Sequence, residues 1–448
     1  MDGKQLRRLK PELDTFLDRY LPLFGREENQ PHAQRFVQGL LGGQERRNAE
    51  NIAEVIEGGV VRTMQKFIAQ GTWNDTDILR EVRVHVSETL GDEKGTINID
   101  ETGFPKKGKK SVGVKRQYSG TLGRVDNCQI GVFANYYSQH GHTFLDRKLY
   151  LPEEWCRDLP RRDEAGVPEN IVFRTKPELG LEMIRTAVSE QVPFQWVGGD
   201  SVYGDNPTFV QGVRELNKWY VLDISSDTYL WLTQPELGEP GPRGGRAKPK
   251  TKPVSAAQAA ASLPSSSFKR ITVSEGSQGS IVYEYAELWV WFSEEGYPAE
   301  SAERFLVRRS LNQDGELKYH RSNAPRKVGL QRVAEQRACR WTIEEDIKAG
   351  KGQCGLDEYE TRGWIGWHHH TVLSILALLF LVLQKQRLGK KRATDDGAGS
   401  SRDTSSPVGS ASVGRGRNRR VEQLADGEKS RRQRMPRRPK TRTTAAAK

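Results

Sequence analysis

The sequence predicts an α/β fold whose sheet has mixed direction and is interrupted by a β-rich insertion. Three observations support this. Apolar residues recur three and four apart over about the first 90 positions. Strand-like and helix-like segments then alternate up to about residue 225, and strand-like runs return after residue 268. Alternating apolar residues are typical of half-buried strands, and a three-to-four spacing is typical of amphipathic helices.

The first 92 residues are predicted to be helical. The run "AQRFVQGLLGG" ends on paired glycines, and "DTDILREVRVHVSETL" begins with an aspartate cap. Such caps and stops mark short helices. A string of short helices with the basic "QERRN" between them favours a DNA-binding domain, while a helical lid or a dimerisation unit remains an alternative.

The central region is predicted to contain three strands, a helix, a strand, a helix and a final strand. That order is typical of an α/β domain. The predicted segments are strands 96–100, 127–138 and 142–151, helix 176–191, strand 194–200, helix 206–218 and strand 219–225.

The region after residue 230 interrupts this pattern. Residues 232–266 are rich in Pro, Gly, Ser and Lys, which predicts a flexible segment. Strands are predicted at 269–274, 280–292 and 304–310. The apolar run 371–383 is too short to cross a bilayer, which takes about 20 residues, and is predicted to be a buried core helix. The predicted organisation is 1–92 helical, 93–230 first part of the core, 231–330 insertion, 331–388 second part of the core, and 389–448 disordered basic tail.

The chain carries a formal net charge of +12 over 448 residues. Residues 389–448 hold 17 Lys and Arg against 6 Asp and Glu, whereas residues 1–388 hold 53 against 52. A basic balance favours an anionic partner, and nucleic acid is the first candidate. Because the excess lies in the tail, DNA binding by the body must depend on local patches. The tail itself is either a DNA-tethering arm or readthrough from a damaged element.

Three acids stand where chemistry could use them. Asp100 ends the first predicted strand, Asp200 ends the fourth inside "GGDSVYGD", and Glu344 lies in a predicted helix after the insertion. Carboxylate oxygens are the ligands that Mg²⁺ prefers, and a pair of such ions supports in-line displacement at phosphorus. We therefore interpret the three as metal ligands. Each acid alone would be an ordinary loop, cap or solvated residue, and Glu101 is the nearest rival of Asp100.

Basic residues accompany these acids. On the predicted helix, one face brings bases beside Glu344, at spacings of three, four and seven: Arg337, Arg340 and Lys351. Four lysines follow Asp100: Lys106, Lys107, Lys109 and Lys110. All seven cations are predicted to contact DNA phosphates. A solvated loop is the alternative for the four lysines.

The chain resembles the DDE-type transposases of bacterial insertion sequences, in the group with a Tyr-Arg-Glu-Lys signature. "INIDETGFPKKGKKSVGVKRQYSG" resembles the family's first-aspartate block, and "VGGDSVYGDN" resembles its second. "RWTIEEDIKAGKGQCGLDEYETRGWIGWHHHTVLSILALLFL" resembles its glutamate block and following helix. Arg340, Glu344 and Lys351 keep the signature's spacing, while Arg337 stands where the family has Tyr.

The resemblance implies a ribonuclease H-like core and a catalytic, metal-binding triad of Asp100, Asp200 and Glu344. It implies two Mg²⁺ ions, with Mn²⁺ as a substitute, and cleavage of DNA at terminal inverted repeats followed by strand transfer into target DNA. It further implies a homodimer in the DNA complex and a cytoplasmic, nucleoid-associated protein. In related elements an insertion aromatic stacks on a flipped base, which here would be Trp289 or Trp291.

Two other functions stay open at this point. A DNA-binding protein descended from a transposase could keep the acids without catalysis. A glycoside hydrolase could also use two carboxylates, but it would not want Arg340 and Lys351 beside its glutamate. The histidine run His368, His369 and His370 is not expected to hold a metal, because consecutive helical residues diverge by about 100°.

Overall fold

The computed structural model describes residues 3–120, 123–240, 246–276, 279–311 and 315–398. Most of the predicted basic tail, residues 399–448, lies outside the described residues. The helices in chain order are α1 Gly3–Asp18, α2 Gln30–Leu40, α3 Ala49–Val55, α4 Val61–Gln70, α5 Asp75–Leu90, α6 Glu153–Arg157, α7 Leu159–Ala165, α8 Lys176–Ser189, α9 Ser201–Gly204, α10 Pro207–Glu215, α11 Ala256–Ala261, α12 Leu330–Ala338, α13 Trp341–Cys354 and α14 Trp364–Ala398.

The strands in chain order are β1 Thr96–Pro105, β2 Lys115–Ser119, β3 Arg124–Ser138, β4 Gly141–Tyr150, β5 Trp196–Gly199, β6 Trp219–Ile224, β7 Tyr229–Trp231, β8 Val254–Ser255, β9 Lys269–Gly276, β10 Gly279–Glu294, β11 Tyr297–Pro298, β12 Glu303–Arg309 and β13 Leu317–Ser322. Short 3-10 helices occur at Leu21–Phe24, Glu27–Asn29 and Ser265–Ser267.

The sheet has mixed direction, as predicted. β1 pairs antiparallel with β3 on one side and parallel with β5 on the other, and β5 pairs parallel with β6. Because β3 and β4 follow each other through a short turn, they run antiparallel. The helical crossovers that include α8 and α10 return the chain so that β5 and β6 run parallel to β1.

The strands of the region predicted to be an insertion extend the same sheet instead of forming a separate one. β13 pairs with the outer edge of β6, and β12 and β10 follow in order. The order across the main path is β2-β3-β1-β5-β6-β13-β12-β10-β7-β8. The insertion strands therefore continue the hydrogen-bonded ladder of the core.

The helices on this sheet begin where the sequence supplies caps. Thr175 and Glu178 form a reciprocal capping box at the start of α8, with Pro177 in its first turn. Asn206 caps α10 by accepting the backbone N–H of Phe209. A second capping box at Ser255 starts α11 inside the segment predicted to be flexible.

The N-terminal helices share one apolar core with the sheet and with α14. The Phe16 ring lies 5.5 Å from the Phe380 ring, and His369 on α14 hydrogen-bonds the backbone oxygen of Ile68 on α4. Residues 364–388 of α14 are long and apolar enough to span a bilayer, but 83% of their most apolar window is buried within the protein. This fits the predicted core helix, which continues to Ala398, past the predicted start of the tail.

One prediction about helices is wrong. The helix expected to run through residues 337–351 is two helices, because α12 ends at Ala338 and α13 begins at Trp341. Cys339 and Arg340 form the break, so Arg337 and Glu344 do not lie on one continuous helical face.

Candidate active site

Asp100 and Asp200 are brought side by side by the pairing of β1 with β5. Ile99 is the partner of Gly199 in this parallel ladder, so the next residue of each chain segment is an aspartate. β5 ends at Gly199, and Asp200 caps α9 by accepting the backbone N–H of Val202 at 2.9 Å. β1 continues to Pro105, so the prediction that Asp100 ends its strand is wrong. The strand that ends beside Asp100 is β5, the parallel partner of β1.

Arg340 joins Glu344 to Asp100. Its guanidinium donates to Asp100 Oδ2 at 3.1 Å through Nη1 and to Glu344 Oε1 at 2.9 Å through Nη2. The side chain of Arg340 is only 10% exposed. The break before α13 places Arg340 at the N-terminal end of this helix, one turn before Glu344. All three predicted acids therefore belong to one charged cluster, with a guanidinium between two of them.

The carboxylates of this cluster disfavour one another's charge. Burial and the neighbouring charges of Asp100 and Glu101 together raise the pKa of Asp200 to about 8. Burial likewise raises the pKa of Asp100 to about 6; Arg340 opposes this rise, while Glu101 and Glu344 add to it. Crowded buried carboxylates of this kind are stabilised as anions by an added cation.

The donor set fits a hard divalent cation, but the present arrangement is not a ready-made cage. Among the described residues, no three or more His, Cys, Asp or Glu side chains are grouped so that they could hold a metal ion. The position between Asp100 and Glu344 is taken by Arg340. Carboxylate oxygens are nevertheless the ligands that Mg²⁺ selects. Metal binding would therefore accompany a shift of this guanidinium.

A buried polar network fixes α13 to the sheet. Asn98 on β1 donates to Asn135 on β3 at 3.0 Å, and Asn135 donates to Thr342 and to Asp346, both at 2.9 Å. His142 contacts the other oxygen of Asp346 at 2.8 Å. Asp346 is thus held inside the network, on a different side of α13 from Glu344.

The other nearby acids have partners of their own. Glu101 pairs with Lys176 at 2.9 Å and accepts from the Tyr203 hydroxyl at 3.2 Å. Glu345 lies 3.6 Å from His142. Asp205 accepts the backbone N–H of Ser225 and so holds the turn after β6.

The predicted DNA-binding cations are not gathered in one place. Lys106 lies 3.6 Å from the Tyr359 ring centre, and burial lowers its pKa to about 8. Lys110 pairs with Glu164 at 2.5 Å, while Lys107 and Lys109 are exposed. These lysines lie on the loop after β1.

Lys351 lies closer to the acids, because it donates to Thr102 Oγ1 at 2.8 Å and to the Gly103 carbonyl at 3.1 Å. Thr102 follows Asp100 by two residues on β1. Lys351 therefore lies beside the strand that carries the first aspartate.

Asp223 is a charged site residue that sequence reasoning missed. It sits near the end of β6 and receives Arg337 through two hydrogen bonds of 3.2 and 3.0 Å. His320 Nδ1 lies 2.9 Å from it, and Arg340 Nε lies 3.7 Å from it. Burial alone would raise the pKa of Asp223, but Arg337, His320 and Arg340 hold it well below its usual value. A lone acid inside the apolar run "WYVLDIS" was the available signal.

The insertion aromatics and the histidine run have defined surroundings. Trp289 lies between two guanidinium groups, with Arg326 at 4.1 Å and Arg304 at 5.0 Å from its ring centre. Trp291 is the strand partner of Trp231. The three consecutive histidines each hydrogen-bond separate backbone carbonyls and diverge within the core: His368, His369 and His370.

The protein is thus an α/β protein with a mixed sheet, in which a buried carboxylate of β1 lies beside the carboxylate that follows the parallel strand β5. Comparison with known families identifies it further. The model of the family described as "DDE superfamily endonuclease" matches residues 19–280, more than half of the chain, and the chain belongs to that family. The matched residues include Asp100 and Asp200 and end before Glu344. This match confirms the resemblance to DDE-type insertion-sequence transposases.

One curated relative is described as "Probable transposase for insertion sequence element IS701", from Microchaete diplosiphon. It is 32% identical over 195 residues, which are 43% of this chain and 48% of the relative. The chain therefore matches about half the length of this relative. The crystal structure of the NurA nuclease from Sulfolobus solfataricus aligns over 72% of this chain and 92% of its own, at 10% identity and a TM-score of 0.25.

Proposed function

We propose that the protein is a transposase that cleaves DNA at the terminal inverted repeats of its own element and joins the ends to target DNA. The observation that carries this proposal is that the parallel pairing of β1 with β5 places Asp100 beside Asp200, the residue after β5, with Glu344 bonded to the same cluster through Arg340. We further propose a ribonuclease H-like core and a homodimer in the DNA complex.

In this proposal Asp100, Asp200 and Glu344 hold Mg²⁺. Divalent ions at such a site activate the attacking oxygen and stabilise the leaving oxygen of an in-line displacement. The protein's own residues supply the rest. The network of Asn135 and Asp346 fixes α13 to the sheet, which holds Glu344 against Arg340 beside Asp100.

Arg340 is the counter-charge of the acid cluster in the absence of other ligands. If a metal ion bound Asp100 and Glu344, the guanidinium donors of Arg340 would be available to a phosphate. Arginine suits this exchange, because its fixed fork of donors matches carboxylate and phosphate alike. Lys351 adds a second cation beside β1.

Strand cleavage tests the triad. The substrate is a duplex carrying the short inverted repeats that flank the reading frame, with Mg²⁺ or Mn²⁺ added. We expect Asp100→Asn and Glu344→Gln to lower the cleavage rate by more than about 100-fold, since loss of even an outer partner of a metal ligand costs up to about that much.

Glu345→Gln is the matched control, because this residue is next to Glu344 but 51% exposed and faces His142. It should cleave at the parent rate. If Glu344→Gln cuts as fast as the parent, the triad assignment is wrong. A parent protein that binds the repeats and never cuts them would instead support the alternative of a catalytically silent DNA-binding protein.

A further inference from the structure

A row of polar side chains crosses four strands beneath α12. Asp223 on β6 is the ladder partner of His320 on β13. His320 is in turn the partner of Leu306 on β12, so Arg308, two positions further, lies on the same face as His320. Arg308 is the partner of Tyr285 on β10. The row leads from the edge of the core into the insertion.

Cations outnumber acids along this row. Arg308, Arg337 and Arg340 are close to it, whereas Asp223 is the carboxylate in contact with two of them. His320 does not add positive charge at neutral pH, because burial lowers its pKa to about 4 despite its bond to Asp223. Since Asp223 is ionised, His320 donates through Nδ1 and its Nε2 is an acceptor. His320 therefore acts as a neutral spacer and not as an anion ligand.

Asp223 forms ion pairs with Arg337 and Arg340, but Arg308 is too far from it for such a pair. In the described part of the chain its guanidinium has no carboxylate within ion-pair distance, and its buried Nε has no hydrogen-bond partner. The Tyr283 ring, 4.4 Å from the guanidinium carbon, supports its plane but does not satisfy its donors. The residue as a whole is half-buried, so part of it is open to a ligand.

Arg337 lies near enough for its charge to act on Arg308. Burial lowers the pKa of Arg308, and the neighbouring charge of Arg337 lowers it further. Arg337 uses Nε and Nη2 for Asp223, which leaves Nη1. Two guanidinium groups with donors left over repel each other unless an anion lies between them.

We propose that Arg308 and Arg337 bind one phosphate group of the DNA strand that passes from the catalytic acids onto the insertion. This proposal rests on the proposed function and names a DNA contact outside the acid cluster. Arginine forks suit phosphate oxygens, and buried donors without partners gain most from such a ligand. Asp223 limits the excess charge so that the row folds without the phosphate.

Salt dependence of DNA binding tests the site. Dissociation constants are measured for a duplex carrying the flanking inverted repeat, in EDTA, over a series of NaCl concentrations. Loss of one phosphate contact lowers the slope of log K against log salt by about 0.9 for duplex DNA. We expect Arg308→Gln to lower the slope by this amount and Arg308→Lys to retain it.

Arg309→Gln is the matched control. Arg309 is the next residue on β12, points to the opposite face and pairs with Glu284 at 2.8 Å. Its slope should equal that of the parent. Thermal unfolding gives a second readout, because Arg308→Gln removes a cation without a carboxylate partner and should leave Tm unchanged or raised. A structural role for Arg308 would lower Tm.

The outcomes separate this proposal from the proposed function. If the parent cleaves the repeat and Arg308→Gln keeps the full slope, the phosphate site is wrong and the transposase stands. If the parent does not cleave but Arg308→Gln loses slope, the phosphate site stands without catalysis. A parent that does not bind the duplex at all overturns both.

Discussion

Two charged centres lie next to each other in this protein, and they are opposite in sign. In the acid centre, Asp100, Asp200 and Glu344 surround Arg340. The cation centre consists of Arg308, Arg337 and Arg340, and the carboxylate of Asp223 contacts the last two. Both are largely buried, and Arg340 belongs to both.

The difference shows what each centre lacks. Buried charge of one sign is costly unless it is paired, so an excess indicates a ligand of the opposite sign. We therefore expect the acid centre to bind a cation and the cation centre to bind an anion. A metal-dependent enzyme acting on a polyanion needs the two in contact. Three substitutions test this contrast, in order of decreasing expected effect.

Arg340→Gln should have the largest effect on stability. It removes the ion partner of Asp100 and Glu344 and the more distant partner of Asp223, and breaking a buried pair costs about 3–5 kcal/mol. Urea unfolding in EDTA measures the loss. Added Mg²⁺ should narrow the gap to the parent, because the ion replaces the missing positive charge in the variant but must displace Arg340 in the parent.

Arg80→Gln controls for loss of an exposed arginine, since Arg80 is 64% exposed. It should stay within about 1 kcal/mol of the parent with or without Mg²⁺. An Arg340→Gln protein as stable as the parent in EDTA would show that the acid centre does not depend on this cation.

Asp223→Asn should lower stability less than Arg340→Gln does, and it should strengthen DNA binding. The asparagine keeps one acceptor for Arg337 but not the charge, and hydrogen bonds to charged groups contribute about 1.5–3 kcal/mol. Removing the carboxylate that pairs with Arg337 should at the same time tighten binding of duplex DNA at low salt. A folded Asp223→Asn protein with weaker DNA binding would mean that Asp223 orients the arginines more than it neutralises them.

His320→Gln should have the smallest effect, and one that depends on pH. The pKa of His320 is lowered from 6.5 to about 4, chiefly by burial. Asp223 acts to raise this pKa, whereas the charges of Arg337 and Arg308 act to lower it. Between these values the unfolded chain binds a proton that the folded chain does not, so stability falls as pH falls from 6.5 towards 4. At pH 5 the loss is about 2 kcal/mol.

The stability gap between parent and His320→Gln should therefore narrow by that amount from pH 7.5 to pH 5. His140→Gln, the loss of an exposed histidine, is measured at the same two pH values as the control for the substitution itself. A gap of constant size for His320→Gln would mean that folding does not shift the pKa of His320.

The sequence predicted the helices and strands that local pattern determines. The apolar alternation before Asp100 and the glycines before Asp200 located both aspartates at β1 and β5, and the spacing of Arg340 and Glu344 paired those two side chains. The family match supports the broader prediction of a DDE-type protein. The assignment of the three acids as metal ligands stays a prediction.

The rest depends on contacts between distant segments. The pairing of Asp223 with Arg337 spans 114 positions and depends on the packing of α12 against β6, which no local pattern encodes. The break at Cys339 and Arg340 carries neither Pro nor Gly, so helical periodicity runs through it unmarked. The sequence predicted Lys106 to be available to DNA, because the Tyr359 ring that it contacts lies far away in the chain.

The pairing of β13 with β6 covers what would otherwise be an open edge of the sheet. Residues 222–224 of β6 present their outer hydrogen-bonding groups to β13. Deleting the insertion would leave β6 as an open edge beside the buried strands β5 and β1, and open edges recruit strands from other molecules. A trimmed protein would therefore aggregate before its chemistry could be assayed, and any minimal version needs a new cover for that edge.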